Sequence, residues 1–354
     1  MNRRFLILAE GRFGPQSSKT ANACIRYTPD EVVAVLDSKS QAGTVQQVLG
    51  FGGDIPIVAS FGAGMAYRPN SLLIGIAPAG GQFPGAWRSL VIEALRHGLD
   101  VWSGLHTMLG DDAEFAAAAR ASGAHIYDLR RAPADLDVGF GRVRDLDATI
   151  VLTVGTDCNI GKMTTQLQIR DAIAARGERV AFAATGQTGI LVEGSGIPVD
   201  AVVADFIAGA AERLTIEAAK SANADIVLVE GQGSLIHPSY SGVTLGLIHG
   251  SLPHAMVLCA QPTRTRVSHN EWVPIPPLAE LIRMYESVLA PVRESKVIAI
   301  ALNTFDMADE DARAAIERIA RETGLPVTDA VRYDPSPIVD AIIGFHSARV
   351  SATI

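Results

Sequence analysis

Cysteine is scarce in this chain. Cys24, Cys158 and Cys259 are the three present, too few and too widely spaced for a disulfide framework or a zinc site. No metal site is expected, and the thiols suit a reducing cytoplasm. A basic run is also missing: 30 Lys and Arg stand against 38 Asp and Glu, a net charge of −8. Without that electrostatic footprint, nucleic acid is not an expected partner. Long apolar runs are absent too. Phe5 to Ala9 stops at Glu10, far short of a signal-peptide core or a membrane span, so it reads as a β-strand and no membrane partner is expected. Repeats and low-complexity tracts are lacking as well.

What is present is an ordinary globular composition. With 354 residues, 48% of them hydrophobic, the chain can bury a large core and should divide into roughly two domains. Short apolar runs alternate with helical patterns over the first 145 residues: Phe5 to Ala9, Val32 to Leu36, Ile55 to Ala59, Leu72 to Ala77, Val101 to Trp102 and Ile126 to Tyr127. Such βαβ alternation predicts a parallel, doubly wound, Rossmann-like domain over residues 1–145. Glycine turns follow two of these strands, at Glu10 to Gly14 and at Ala77 to Gln82. They lie where open α/β sheets bind ligands. No GxGxxG fingerprint follows the first strand, however, and the glycines serve equally well for tight turns.

Residues 130–146 carry charge, Pro and Gly without periodicity and suit an interdomain linker. A second α/β series then runs over 146–354. Its strands are Thr149 to Val154, Val180 to Ala184, Ile226 to Val229, Ala255 to Cys259 and Val297 to Leu302, with helices over Met163 to Ala175 and Asp309 to Glu322.

The first strand of this series enters GTDCNIGKMTT, residues 155–165. Strand, glycine loop and helix together make a phosphate cradle, in which loop amides and the helix N-terminus face the anion and Lys162 adds a full charge. The candidate ligand-binding residues are therefore Gly155, Thr156, Asp157, Cys158, Asn159, Ile160, Gly161, Lys162, Met163, Thr164 and Thr165. With Gly155 as the opening glycine, the segment resembles the GTDTxVGKT loop of dethiobiotin synthetase. The hydroxyl that would bind Mg²⁺ is replaced by Met163, and a thioether is a poor ligand for a hard cation. The loop is thus better suited to gripping phosphates than to breaking a phosphoanhydride.

Other polar residues fall at predicted strand ends. Glu230 ends one strand, where P-loop enzymes place an acidic residue, and is the leading catalytic carboxylate. Asp205 and Asp200 could each act as a base or bind a substrate ammonium; Asp205 is the second candidate base, and Asp200 suits helix capping or surface exposure at least as well. His237 and Tyr240 sit in a polar stretch between buried strands and are candidates for proton transfer. Gln187, Gln232 and Arg264 are candidate substrate contacts; Arg264 suits a bidentate pair with a substrate carboxylate and equally a surface salt bridge. Cys158 has no demonstrable base beside it in sequence and is read as a packing or backbone-donor position.

Taken together, GTDCNIGKMTT, TGQTG (185–189), VDAVVADFIAGAAE (199–212), VEGQGSLIHPSYSGVTLGLIHG (229–250) and the Rossmann-like front half resemble a bacterial and archaeal family of two-domain P-loop proteins that includes D-glutamate N-acetyltransferases. The resemblance implies an acyltransferase that moves acetyl from acetyl-CoA to the amine of a D-amino acid. Coenzyme A carries phosphates for the loop to hold, and acyl transfer to an amine needs no Mg²⁺. The alternatives are an ATP/Mg-dependent kinase or carboxylate-activating ligase of the dethiobiotin synthetase type, and a nucleotide sensor without turnover. The expected partners are a small amino-acid substrate and, as for many enzymes of this size, further copies of the same chain.

Overall fold

The computed structural model describes residues 3–15, 17–76 and 81–353. They group into two compact units. One holds the residues up to Ala132 together with Ile190–Ala201; the other holds Pro133–Gly189 together with the residues from Val202 onward.

The first unit runs β1 (Phe5–Leu8), α1 (Lys19–Tyr27), β2 (Val32–Leu36), α2 (Val45–Leu49), β3 (Ile57–Val58), α3 (Phe61–Met65), β4 (Ser71–Ile74), α4 (Arg88–Arg96), β5 (Asp100–Ser103), α5 (Ala113–Ser122) and β6 (Ile126–Asp128). Its sheet has the order β3-β2-β1-β4-β5-β6 with all pairs parallel, the strand order of Rossmann-type folds. Both faces of such a sheet are covered, so its central strands are buried throughout and mostly apolar: every residue of β1 and β4 is buried, Ser71 being the one polar side chain in the two. Helix α5 shows how local signals set the boundaries. The Asp112 carboxylate accepts from the amides of Glu114 and Phe115, and Gly123, at φ +79°, ends the helix. Of the predicted turn after β4, Ala77, Pro78, Ala79 and Gly80 lie outside the described residues.

The second unit runs β7 (Thr149–Gly155), α6 (Lys162–Ala175), β8 (Val180–Ala183), the start of α7 (Gln187–Glu193), α8 (Ile207–Ser221), β9 (Ile226–Val229), α9 (Ser241–Ser251), β10 (Ala255–Ala260), β11 (Arg266–Val267), β12 (Asn270–Pro274), α10 (Leu278–Leu289), β13 (Lys296–Leu302), α11 (Asp309–Thr323), β14 (Val327–Thr328) and α12 (Ser336–Thr353). Its six-stranded parallel sheet has the order β14-β13-β10-β7-β9-β8, and β11 and β12 form a separate antiparallel hairpin. Strand β7 lies at the centre, between β9 and β10, with all seven residues buried. The strand order reverses beside it, so the carboxyl edge of β7 is the expected ligand crevice of this sheet. On α11, Ile319 is buried and Ile316 half-buried.

Two stretches differ from their sequence readings. Most of the segment read as a linker packs against α8. The fully buried Glu212 accepts from the amides of Phe140 (3.1 Å) and Arg142 (2.7 Å) and from Arg142 Nε (2.6 Å), and a Cβ on Gly209 would overlap the Asp137 carbonyl. A buried carboxylate needs such donors, and the charged, aperiodic segment supplies them. Asp200 neither caps a helix nor stands in solvent. Within the first unit it pairs with the buried Arg130, whose Nε donates to the Gly104 carbonyl at 2.8 Å. Burial pushes the Arg130 guanidinium down to about 10. Among the described residues no helix is long and apolar enough to cross a membrane.

Candidate active site

The site is built where β7 gives way to α6. A Cβ on Gly155 would stand 2.7 Å from Ile160 Cδ1 and 3.2 Å from Lys162 Nζ, so a side chain here would push both loop side chains away from the strand end. Asn159 at φ +55° and Gly161 at φ +97° turn the chain back into the helix. Alternating left- and right-handed residues of this kind point successive N–H groups toward one concavity. Among the described residues, nothing accepts from the amides of Asn159, Ile160, Gly161, Lys162 or Met163; the helical bonding starts with Thr165 N–H to the Gly161 carbonyl at 2.8 Å. Lys162 is 7% exposed and donates from Nζ to the Asp157 carbonyl at 2.7 Å. Burial lowers its ammonium below the usual range, against the opposing pull of Cys158, Cys259 and Asp157. Thr156 and Thr165 are buried and Met163 and Thr164 half-buried.

Asp157 is fully buried, yet it is well supplied with donors. Oδ1 accepts from the Cys158 amide at 2.6 Å; Oδ2 accepts from Arg264 Nη1 at 2.9 Å and from the Ser268 amide at 2.8 Å. Burial pushes this carboxyl up, but the Ser268 and Cys158 amides and the Arg264 guanidinium together hold it below the ordinary carboxylate range. His237 is buried beside it. Its Nδ1 accepts from the Ser239 amide at 3.2 Å, which leaves the ring proton on Nε2, 3.8 Å from Asp157 Oδ1 and without a hydrogen-bond partner. The ring lies 4.6 Å from that of the half-exposed Tyr240. Ligand atoms of Asp157, Cys158 and His237 fall within 4.8 Å of one another. A guanidinium already compensates Asp157, however, so the donor set fits a cation poorly.

Glu230 follows β9 and is 5% exposed. Its Oε2 accepts from the amides of Thr185 (2.8 Å) and Gly186 (3.0 Å), and the Thr185 hydroxyl donates to its carbonyl at 2.9 Å. Burial pushes the carboxyl up to about 7, against the opposing effect of the Gly186 and Thr185 donors and of Lys162. Glycine is required at 189, where a Cβ would stand 2.5 Å from Glu230 Oε2. Gln232 is drawn into the same knot, its Nε2 donating to the Thr185 carbonyl at 2.7 Å. Gln187 is half-buried at the start of α7.

The structure thus gathers the loop, Arg264 and His237 around Asp157, with Tyr240 against the His237 ring, and sets Glu230 and Gln232 around the turn after β8. It does not bring Asp205 to either group: that residue is exposed in the turn before α8. The sequence reading missed Tyr285. This fully buried tyrosine of α10 donates its hydroxyl proton to the Gly155 carbonyl at 2.7 Å and accepts from the amides of Gly155 and Leu235 at 3.3 and 3.2 Å. In sequence it looks like any core position of an amphipathic helix. Ser268, which steadies Asp157 through its amide, carries no side-chain signal to read.

Residues 137–339 match the P-loop domain of DUF1611, described as a domain of unknown function, and residues 38–132 match its Rossmann-like N-terminal domain. The chain belongs to the DUF1611 family. It is 39% identical over 278 residues to a D-glutamate N-acetyltransferase of Tritonibacter scottomollicae, covering 77% of this chain and 81% of that protein. A D-glutamate N-acetyltransferase of a Pseudoalteromonas species is 36% identical over 273 residues, covering 76% and 80%. A crystal structure of a DUF1611 family protein from Anabaena variabilis superposes with a TM-score of 0.91 at 41% identity, over 97% of this chain and 99% of that one. These relatives place the DUF1611 chain among enzymes of the N-acetyltransferase class.

Proposed function

We propose that this DUF1611 protein transfers the acetyl group of acetyl-CoA to the amine of a D-amino acid, with D-glutamate the first acceptor to test. The observation that carries the phosphate part of this reading is the run of five amides, Asn159 to Met163, that meet no acceptor among the described residues, beside the buried Lys162. Unpaired N–H groups at a helix N-terminus favour a phosphate. Met163 fits the same reading, because the reaction does not ask the loop to hold a cation. The acceptor comes from the relatives, both named for D-glutamate.

The reaction takes one proton from the acceptor ammonium to the base, forms the C–N bond, breaks the C–S bond, and passes the second ammonium proton to the leaving sulfur, so that coenzyme A departs as a thiol. A base and a set of donors for the tetrahedral oxyanion are needed. Glu230, with its carboxyl near 7, is suited to be that base: it is partly ionised at neutral pH and can take a proton without holding it too weakly.

Thermal unfolding tests the donor. A ligand that binds only the native state raises the midpoint, so acetyl-CoA should raise it for the wild type and fail to do so for Lys162→Ala. Stabilisation by ATP with Mg²⁺ alone would overturn the reading in favour of a kinase or ligase.

A further inference from the structure

Arg264 is held in an unusual way. Of its guanidinium nitrogens, Nη1 alone is engaged, donating to Asp157 Oδ2 and to the Cys158 carbonyl, each at 2.9 Å. Among the described residues, Nε and Nη2 make no hydrogen bond. The side chain is 23% exposed, so water reaches the unengaged part of the fork. The atoms that hold it belong to residues 157 and 158, in the first half of the loop, whereas the unpaired amides run from 159 to 163. Lys162 and Arg264 are two cations, and among the described residues Asp157, paired with Arg264, is the one carboxylate that forms an ion pair with either. The loop therefore offers two adjacent anion seats, one lined by amides and the other by a planar guanidinium already oriented from behind.

We propose that Arg264 is a specificity residue for a diphosphate, taking the second phosphate of a ligand whose first phosphate lies on the amides of Asn159 to Met163. This rests on the acetyl-CoA reading above and sharpens it: the loop recognises the pyrophosphate of the donor rather than any single phosphate. Two engaged seats explain why the protein spends a buried aspartate on orienting an arginine at this point. A guanidinium fork suits two phosphate oxygens in a way that a lysine does not. It also reassigns Arg264 from the acceptor carboxylate, the partner expected from sequence, to the donor.

The test is calorimetric binding, without acceptor, of coenzyme A and of 4′-phosphopantetheine, which carries one phosphate, to the full-length wild type, Arg264→Gln and Arg264→Lys. Loss of a charge-assisted pair should weaken coenzyme A binding to Arg264→Gln by about 10- to 100-fold, with Arg264→Lys intermediate and 4′-phosphopantetheine nearly unaffected. An equal loss for both ligands would mean that Arg264 only shapes the loop, and overturns the proposal. So would unchanged coenzyme A affinity with a raised KM for the amino acid, since that assigns the fork to the acceptor carboxylate. Failure of the wild type to bind coenzyme A removes the acetyl-CoA reading itself and the proposal with it. That outcome is distinct from wild-type binding that Arg264→Gln leaves intact.

Discussion

After β1, the amides of Gly11 and Phe13 donate to the Asp37 carboxylate at 2.8 and 3.1 Å, and the Lys39 amide joins them at 2.9 Å. After β7, the amides from Asn159 to Met163 meet no protein acceptor among the described residues. Both turns close a buried central strand of a parallel sheet, and each has an aspartate buried nearby. The difference lies in what the aspartate holds. Asp37, which follows β2, accepts from the glycine turn after β1 and supplies the negative charge that a bound anion would otherwise bring. Asp157 instead holds the Arg264 guanidinium and the Ser268 amide, so the loop keeps its donors and gains a cation. Similar strand-end geometry therefore yields a self-satisfied turn in one unit and a receptive one in the other.

The largest expected effect separates chemistry from structure at the receptive edge. Glu230→Gln keeps the volume of the side chain and removes the base. Acetyl transfer should fall by about 100- to 10,000-fold, measured as kcat at saturating acceptor, with the folded state intact. In the wild type the rate should drop as pH falls below about 7, where Glu230 takes up its proton. Retained kcat in the variant would move the base elsewhere, to His237.

Next in size is Tyr285→Phe, which strips one hydroxyl from two amides and a carbonyl in the core. Unsatisfied buried groups cost about 1–3 kcal/mol, so the denaturation midpoint should fall. Because the hydroxyl steadies Gly155, acetyl-CoA affinity should fall with it. Asp37→Asn should cost a similar 1–3 kcal/mol in stability while leaving acetyl-CoA affinity and kcat unchanged. Loss of ligand binding in that variant would erase the contrast between the two edges.

The smallest effect concerns pH and stability. The Glu230 carboxyl is raised from its usual 4.5 to about 7 in the folded chain, so the stability of its neutral form is complete below about 4.5 and is lost as pH rises through about 7. Relative to wild type, Glu230→Gln should gain stability above pH 7 and show little difference near pH 4.5. Chemical denaturation at both pH values checks the sign.

Much of this was legible in the residues. The apolar runs marked most of the parallel strands because buried strands need continuous hydrophobic sequence, and the loop at 155–165 announced itself because a phosphate cradle needs glycine and lysine at fixed places. The short β11–β12 hairpin, α12 and the packing of residues 137–142 on α8 were not legible. They depend on contacts made through backbone atoms or on a buried Glu212 far along the chain. The same holds within the site. Glu230 and Lys162 stand at positions that a motif can name. The partnership of Asp157 with Arg264, 107 residues apart, and the hydroxyl of Tyr285 became visible only once the sheet had brought distant loops together.

Release of coenzyme A thiol from acetyl-CoA, followed with D-glutamate and a metal chelator present, tests the central claim most directly. The account predicts thiol release that requires D-glutamate, persists in chelator and is lost in both Lys162→Ala and Glu230→Gln. Release that needs Mg²⁺ and ATP, or a wild type that leaves acetyl-CoA intact in the presence of D-amino acids, would contradict it.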